Sequence, residues 1–502
     1  MDVVDGAWDE LAARVGRGEL AAPGALQRAL EEEQILHDPL ALERVRAALP
    51  RFWELVHQDP PRALGLACVT EAVARARGAP AALRVELLRR RATALFALGR
   101  ARESLADLQD GLTLLPAAGL DPAEAAAQRA ALLGFLANAH LALGAVRPAL
   151  VALEEALHLA REHGQEAARG VFLSTLGNAR VVAGESRAAL SYYEEALQVA
   201  CEVGNREGEA VNRNNVGLCL QALGEGGAAR GCFERGLELA RELGDLRSAA
   251  TMEANLGLLE LEEGRLGAAE ERLDAARELA LRLRDRPTQA VVLLRRARLL
   301  RERGEGEAAR GRAEEALALL RALEDPRRGP ALVELGRTRL EAGDAQGAAA
   351  ALQQALFAAE GLGDPRSQAA ARCELGRAAL RAGRFEDAGE HLARALDEAR
   401  ELEDWELQAL ALQSQAELHA CKRDGAAARQ ALQGSAALLA ERAGSPLGLR
   451  HVLARAALAM AEGDPAAARV ALRETARVAG ERGLVSILRE AERRLSAVEQ
   501  SA

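Results

Sequence analysis

A glycine returns at a near-constant interval through most of this 502-residue chain. Gly144, Gly184, Gly224, Gly264, Gly304, Gly343 and Gly383 stand 39 or 40 residues apart. Gly99 precedes the series and Gly463 follows it, with Arg423 where the skipped glycine would fall. Five residues after each anchor stands a small residue, as at Ala149, Ala189, Ala229, Ala269, Ala309, Ala348 and Ala388, and twelve after it another, as at Ala156, Ala196, Gly236 and Ala276. The two offsets differ by seven, so both fall on one stripe of a helix. Seven residues before the anchor comes a third small position, as at Ala137, Gly177, Gly217, Gly257, Ala297, Gly336 and Gly376. Stripes kept this small predict that another helix presses directly on each.

The second helix of each unit runs into a stop such as "EVGN", "ELGD" or "GLGDPR", or into the glycine-free "RLRDRP" and "ALEDPR". Glycine supplies a left-handed cap, Asp or Asn caps the next helix, and Pro suits its first turn. One unit therefore reads as helix A, turn, helix B, turn. Aromatic residues make up only 2% of the chain, so contacts between units must rest on Ala and Leu. A lone pair cannot cover its own apolar face, and stacking on like neighbours is the expected solution.

This spacing of small residue, turn glycine and two alanines resembles the tetratricopeptide repeat. The match is to its forty-residue form, similar to kinesin light chains, spindle-orientation scaffolds that bind G-protein partners, and MalT-like bacterial regulators. The resemblance implies an all-α fold: a right-handed superhelical solenoid of antiparallel helix pairs, with the A helices lining a concave groove. The array is expected over residues 82–481, as about nine to ten repeats. Residues 1–81 are expected to form an N-terminal helical cap, or one divergent repeat with Trp53 in its core, the prolines cutting the rest into short helices. Residues 482–502 read as a solvating C-terminal helix.

A formal charge of -10 provides no field for nucleic acid or an anionic membrane. No run of 18 apolar residues occurs and the first residues lack an apolar signal core, so a cytoplasmic protein is expected. The six cysteines show no paired spacing and read as buried reduced thiols, and Tyr192 and Tyr193 as core. "GEGGAARG" lacks the Lys and Ser or Thr of a phosphate loop, His158 and His163 miss the metal-binding helical spacing, and no strained elbow accompanies any Cys or Ser. No enzyme, metal or cofactor is therefore expected, unless a site lies within residues 1–80.

Asparagine points elsewhere. The chain has seven, and six of them, all but Asn205, fall in predicted A helices between residues 131 and 257, although Asn is a poor helix former. The resemblance implies that residues two before and one after the small A-helix position face the groove. Asn138 and Asn178 take one offset and Asn215 and Asn255 the other, with Asn214 beside Asn215. Further along come Arg295, Arg298, Arg337 and Arg377, with Arg372 and Arg381 nearby. Carboxamides can hold a peptide backbone at both its donor and acceptor, and guanidiniums can fork carboxylates. The expectation is a peptide- or protein-binding adaptor whose partner lays an acidic segment on the arginine half. The alternatives are surface arginines paired with Glu302, Glu334, Glu341 or Glu374, and a sensor whose superhelix tightens on a small ligand or peptide.

Overall fold

The turn glycines meet their expected geometry in the computed structural model, which describes residues 2–21, 24–323, 328–440 and 442–500. Gly184, Gly224, Gly264, Gly304, Gly343 and Gly383 all have positive φ, between 72° and 85°. Where glycine is missing the turn persists at the cost of a strained residue: Arg423 has φ 60°, Arg284 52° and Glu403 51°. Most of the glycine-free "ALEDPR" lies outside the described residues. The stops also cap as expected, for Asn205, Asp245, Asp285, Asp364 and Asp404 each accept a backbone N–H of the following helix.

Among the described residues the chain is helical throughout, with 25 α-helices, two short 3₁₀ turns and no strand. The helices divide into two compact units, the boundary falling after Ala179. In the first unit, α1 (Asp2–Gly16), α2 (Ala25–Glu32), α3 (Ala41–Gln58) and α4 (Pro60–Ala76) precede the pairs α5/α6 (Ala81–Ala97, Ala101–Leu114) and α7/α8 (Pro122–Ala142, Val146–Glu162). Helix α9 (Glu166–Val182) crosses the boundary and α10 (Ser186–Glu202) pairs on to the second unit. The second unit then runs α11/α12 (Arg206–Ala222, Gly226–Leu243), α13/α14 (Leu246–Glu262, Leu266–Arg282), α15/α16 (Arg286–Glu302, Gly306–Ala322) and α17/α18 (Arg328–Glu341, Ala345–Leu362). It continues through α19/α20 (Pro365–Arg381, Phe385–Glu401), α21/α22 (Trp405–Cys421, Gly425–Leu438) and α23/α24 (Pro446–Ala461, Pro465–Glu481) to α25 (Val485–Gln500). Odd-numbered helices from α7 are the A helices.

The small stripe is the contact surface. Ala149, Ala189, Ala229, Ala269, Ala309, Ala348, Ala388 and Ala468 are all 0% exposed. A β-carbon added to Gly217 would sit 2.6 Å from Phe233, and one on Gly336 or Gly376 would sit 2.6 Å from Leu352 or Leu392. Each of these A-helix glycines thus receives a bulky buried side chain of its B helix, which lets the two backbones close up.

The N-terminal region departs from expectation in detail. Phe52, at 2% exposed, is the core aromatic, and Trp53 is 38% exposed with Arg89 and Arg90 over its ring. The shift of one residue follows from where α3 turns its face on α4. Pro50 lies inside α3 instead of ending it. Helix α1 crosses α4 so closely that a β-carbon on Gly65 would collide with the Ala12 carbonyl, 1.8 Å away. The thiols also divide: Cys219 and Cys373 are buried, whereas Cys201 and Cys421 are exposed, because they sit at A- and B-helix ends beyond the contact stripe. Tyr193 is core, 3% exposed.

The second unit also coils until its early turns touch its late repeats. The Trp405 indole N–H donates to the Gln221 carbonyl at 3.2 Å, Arg482 to Glu263 at 3.1 Å and Arg489 to Gly304 at 3.0 Å, while Arg442 donates to Gly224. Leu402 fills the space above Gly184, and Arg442 lies 4.4 Å over the Trp405 ring. Each carbonyl belongs to the C-terminal end of an A helix, where unsatisfied C=O groups and the helix dipole favour a cation. Helix α25, read from sequence as a solvating end, buries Ile487, Ala491 and Val498 and docks on α15 as part of this clasp.

Enlarging the stripe tests the close contact: Ala269→Leu or Ala309→Leu should overpack and cost about 1 to 3 kcal/mol. Thermal unfolding followed by circular dichroism measures it, with the exposed Gly311→Ala in the same A/B pair as a control that should stabilise slightly.

Candidate functional site

The A helices of the second unit carry the amides and guanidiniums singled out by sequence on one connected strip. The Asn255 amide (α13) donates to Asn214 Oδ1 (α11) at 2.7 Å, and Arg295 (α15) donates to Asn255 Oδ1 at 2.7 Å. Three consecutive repeats are thereby cross-linked, Asn255 and Arg295 from equivalent positions and Asn214 from the residue just before the equivalent Asn215. Asn215, half-buried, lies 3.4 Å from the Asn214 amide nitrogen. Asn212 is different: it is buried and its amide donates to the Gly208 carbonyl one turn earlier at 2.9 Å, a structural bond. In the first unit Asn138 is half-buried on α7 and Asn178 exposed on α9.

The arginine half is crowded with carboxylates of its own. Arg298 pairs with Glu406 at 2.9 Å, Arg337 with Glu374 at 2.8 Å and Arg377 with Glu374 at 2.6 Å. Glu374 is 0% exposed; burial favours its neutral form, yet Arg377 and Arg337 together hold its carboxyl down to about 2. Deeper in the wall Arg301 bridges Glu334, Glu341 and Glu302, and Arg450 reaches Glu302 at 3.3 Å. Arg372 turns to the B helices and pairs with Glu360 and Glu398. The open row of guanidiniums anticipated for a partner's carboxylates is therefore answered internally at Arg298, Arg337 and Arg377. The sequence did carry the signal, since Glu334 and Glu374 stand three residues before Arg337 and Arg377 and share their face.

Arg295 is the exception. Among the described residues no carboxylate pairs with it, and its Nη1 is buried without an acceptor. Burial pushes the guanidinium down to about 10. Nearby, Glu262 accepts from Gln221 at 2.9 Å, and burial together with Glu406 raises its carboxyl to about 7.

Two cavities open on the same wall. One of 640 Å³ lies between the A helices from α15 to α25 and is lined by Arg301, Glu341, Arg377, Arg381, Arg450 and Arg494 among others. The second, of 500 Å³, shares Arg377, Arg381, Glu417, Arg493 and Arg494 and is otherwise mostly apolar. Arg450, Arg493, Arg494 and the clasp residues were not singled out by sequence, though Arg442 and Arg482 are themselves 40 residues apart. A Ser435–His451 contact of 3.2 Å lies beside this wall, but Ser435 is fully buried and bonds Gln413, which makes it a packing contact. No group of three or more potential metal ligands occurs among the described residues, and none of their helices is long and apolar enough to cross a membrane.

The Glu262 environment sets a pH dependence. A carboxyl raised in the folded state binds its proton more tightly there than when unfolded, so its contribution is present below the unfolded value near 4.5 and is lost as pH rises through about 7. Glu262→Gln should therefore raise the melting temperature at pH 8 and change it little at pH 5, as measured by scanning fluorimetry.

No family model and no curated protein sequence matches this chain. Solved structures do. The Rap conjugation gene regulator of plasmid pLS20, in complex with the Phr* peptide, is similar with a TM-score of 0.50 at 14% identity, over 71% of this chain and 96% of that one. Aspartyl phosphate phosphatase F from Bacillus subtilis gives 0.49 at 14% identity, over 71% and 94%. A signal transduction ATPase with a tetratricopeptide repeat sensor from Pyrococcus horikoshii gives 0.42 at 15% identity, over 72% and 55%. With its forty-residue period, paired helices and small-residue contacts, the chain is by fold a tetratricopeptide-like helical repeat protein.

Proposed function

We propose that this protein is a non-enzymatic interaction module of the cytoplasm, whose second unit takes a peptide segment of another protein along the A-helix wall. One observation carries the reading: the ladder Asn214–Asn255–Arg295 ends in a guanidinium whose buried Nη1 has no acceptor and which has no carboxylate at ion-pair distance among the described residues, Glu262 acting on it only from farther off. An acidic residue of the segment would supply that carboxylate, and the half-buried amide of Asn215 would bond the segment's backbone. Asn138 and Asn178, at the other groove-facing offset in the first unit, are proposed for the same role there. Arg298, Arg337 and Arg377 engage a partner only by exchanging an internal carboxylate for an external one, so their main contribution is to hold the wall in shape. Support comes from the Rap regulator, which binds a peptide on a fold of this kind at 14% identity. A net charge of -10 argues against nucleic acid as the partner.

A second reading, a ligand-responsive sensor, is favoured by the clasp. Contacts from Trp405, Arg442, Arg482 and Arg489 to early turns make the coil of the second unit a discrete closed arrangement that a ligand can bias.

The readings separate by experiment. Affinity capture, with the retained polypeptide mapped to a synthetic segment, should give a peptide whose binding falls about tenfold in Arg295→Gln, the loss being larger at low salt. Arg337→Gln should instead lower stability by about 1 to 3 kcal/mol, since Glu374 loses one of its two cations, with peptide affinity unchanged in the folded fraction. Equal affinity in Arg295→Gln and wild type would remove the adaptor site. For the sensor, cell extract stripped of macromolecules should raise the melting temperature in a dose-dependent way.

A further inference from the structure

The 500 Å³ chamber differs in kind from the polar cavity beside it. Leu380, Ala456, Met460, Leu472 and Val498 form its walls, and no aromatic ring lines it. These walls are helices α19, α21, α23, α24 and α25, whose backbone N–H and C=O groups are bonded within the helices except at the C-terminal ends of α19 and α21 by Arg381 and Cys421. The apolar part of the chamber therefore offers nothing to the amides of a peptide, which would be buried there unpaired. A saturated hydrocarbon chain has no such groups and gains simply by leaving water.

Charge enters the chamber only through the residues it shares with the polar cavity. There Arg377 is answered by Glu374, Arg493 by Glu490, and Arg494 by Glu417 and Glu490. Arg381 has no carboxylate at ion-pair distance among the described residues, although it lines both cavities. The residue as a whole is exposed, but desolvation of its head group, Arg377 and Arg493 work against its charge and Glu490 and Glu417 offset only part of this, a cost that an anion would relieve. The exposed thiol of Cys421 lines the same chamber and can report on its occupancy.

We infer that this chamber binds a free long-chain aliphatic carboxylate, its hydrocarbon tail among α21, α23 and α25 and its carboxylate on Arg381. The site is independent of the peptide wall at Arg295, and either can fail without the other. The test uses the full chain and dodecanoate below its micelle concentration. Dodecanoate should raise the melting temperature saturably and slow alkylation of Cys421 at pH 9 at least fivefold by mass spectrometry, leaving exposed Cys201 unaffected. Arg381→Gln, whose exposed side chain makes it a safe substitution for folding, should weaken binding at least tenfold, and Arg381→Lys should retain most of it. The inference is overturned if dodecanol or dodecyltrimethylammonium protects Cys421 as well as dodecanoate does, which would show a hydrocarbon surface with no carboxylate recognition. It is equally overturned if Arg381→Gln binds undiminished, if dodecanoate leaves Cys421 as reactive as before, or if phospholipid vesicles or degenerate octapeptide pools protect Cys421 and the free acid does not.

Discussion

The contact of one small side chain with a neighbouring helix, repeated every forty residues, is the constraint from which the architecture follows. Ala189, Ala229, Ala269 and Ala309 have no exposed surface at all. Where the A helix has glycine, the B helix answers with bulk, as Phe233 does over Gly217 and Leu352 over Gly336. Backbones brought this close leave two helices with a large apolar face still uncovered, and only the next pair can cover it. Stability is then built mainly from contacts between neighbours, and a chain with 2% aromatic residues can still form continuous cores.

Periodicity made this much legible in advance, because a period reports local geometry whichever residue occupies it. Arg423, Arg284 and Glu403 show the point: each adopts the left-handed conformation that glycine holds elsewhere in the series, and the position alone predicts it. Outside the period, inference weakened. Phe52 and Trp53 are adjacent, and nothing in the sequence told which would face α4. Cys201 and Cys421 looked apolar by type and lie at exposed helix ends.

The candidate site was legible by position and misjudged in its electrostatics. The offsets brought Asn215, Asn255 and Arg295 onto one strip, and the structure joins Asn255 and Arg295 to Asn214, the residue beside Asn215, by two hydrogen bonds of 2.7 Å. What was hidden is pairing across repeats and across the coil. Glu374 serves its own helix through Arg377 and the preceding repeat through Arg337, and Glu406 reaches Arg298 from 108 residues away. A local rule detects the first of these, while the other two depend on the superhelical path. Replacing so densely paired a wall with apolar residues need not weaken the fold, so its charges are not explained by stability alone.

The clasp follows from the repeat itself. A left-handed turn ends each A helix and leaves carbonyls such as those of Gln221, Glu263 and Gly304 able to accept from a side chain, once per repeat and with the negative end of a helix behind them. An array that curls far enough to meet itself therefore presents a ladder of acceptors, and donors with the same period, Arg442 and Arg482, find it. Once the coil is held in this way, the inner wall can gather charges that would repel one another in an open array, provided each finds a counterion. Nearly all of the guanidiniums there do. Among the described residues Arg295 and Arg381 have no carboxylate at ion-pair distance, so a ligand carboxylate arriving at either one gains a partner without breaking an existing ion pair.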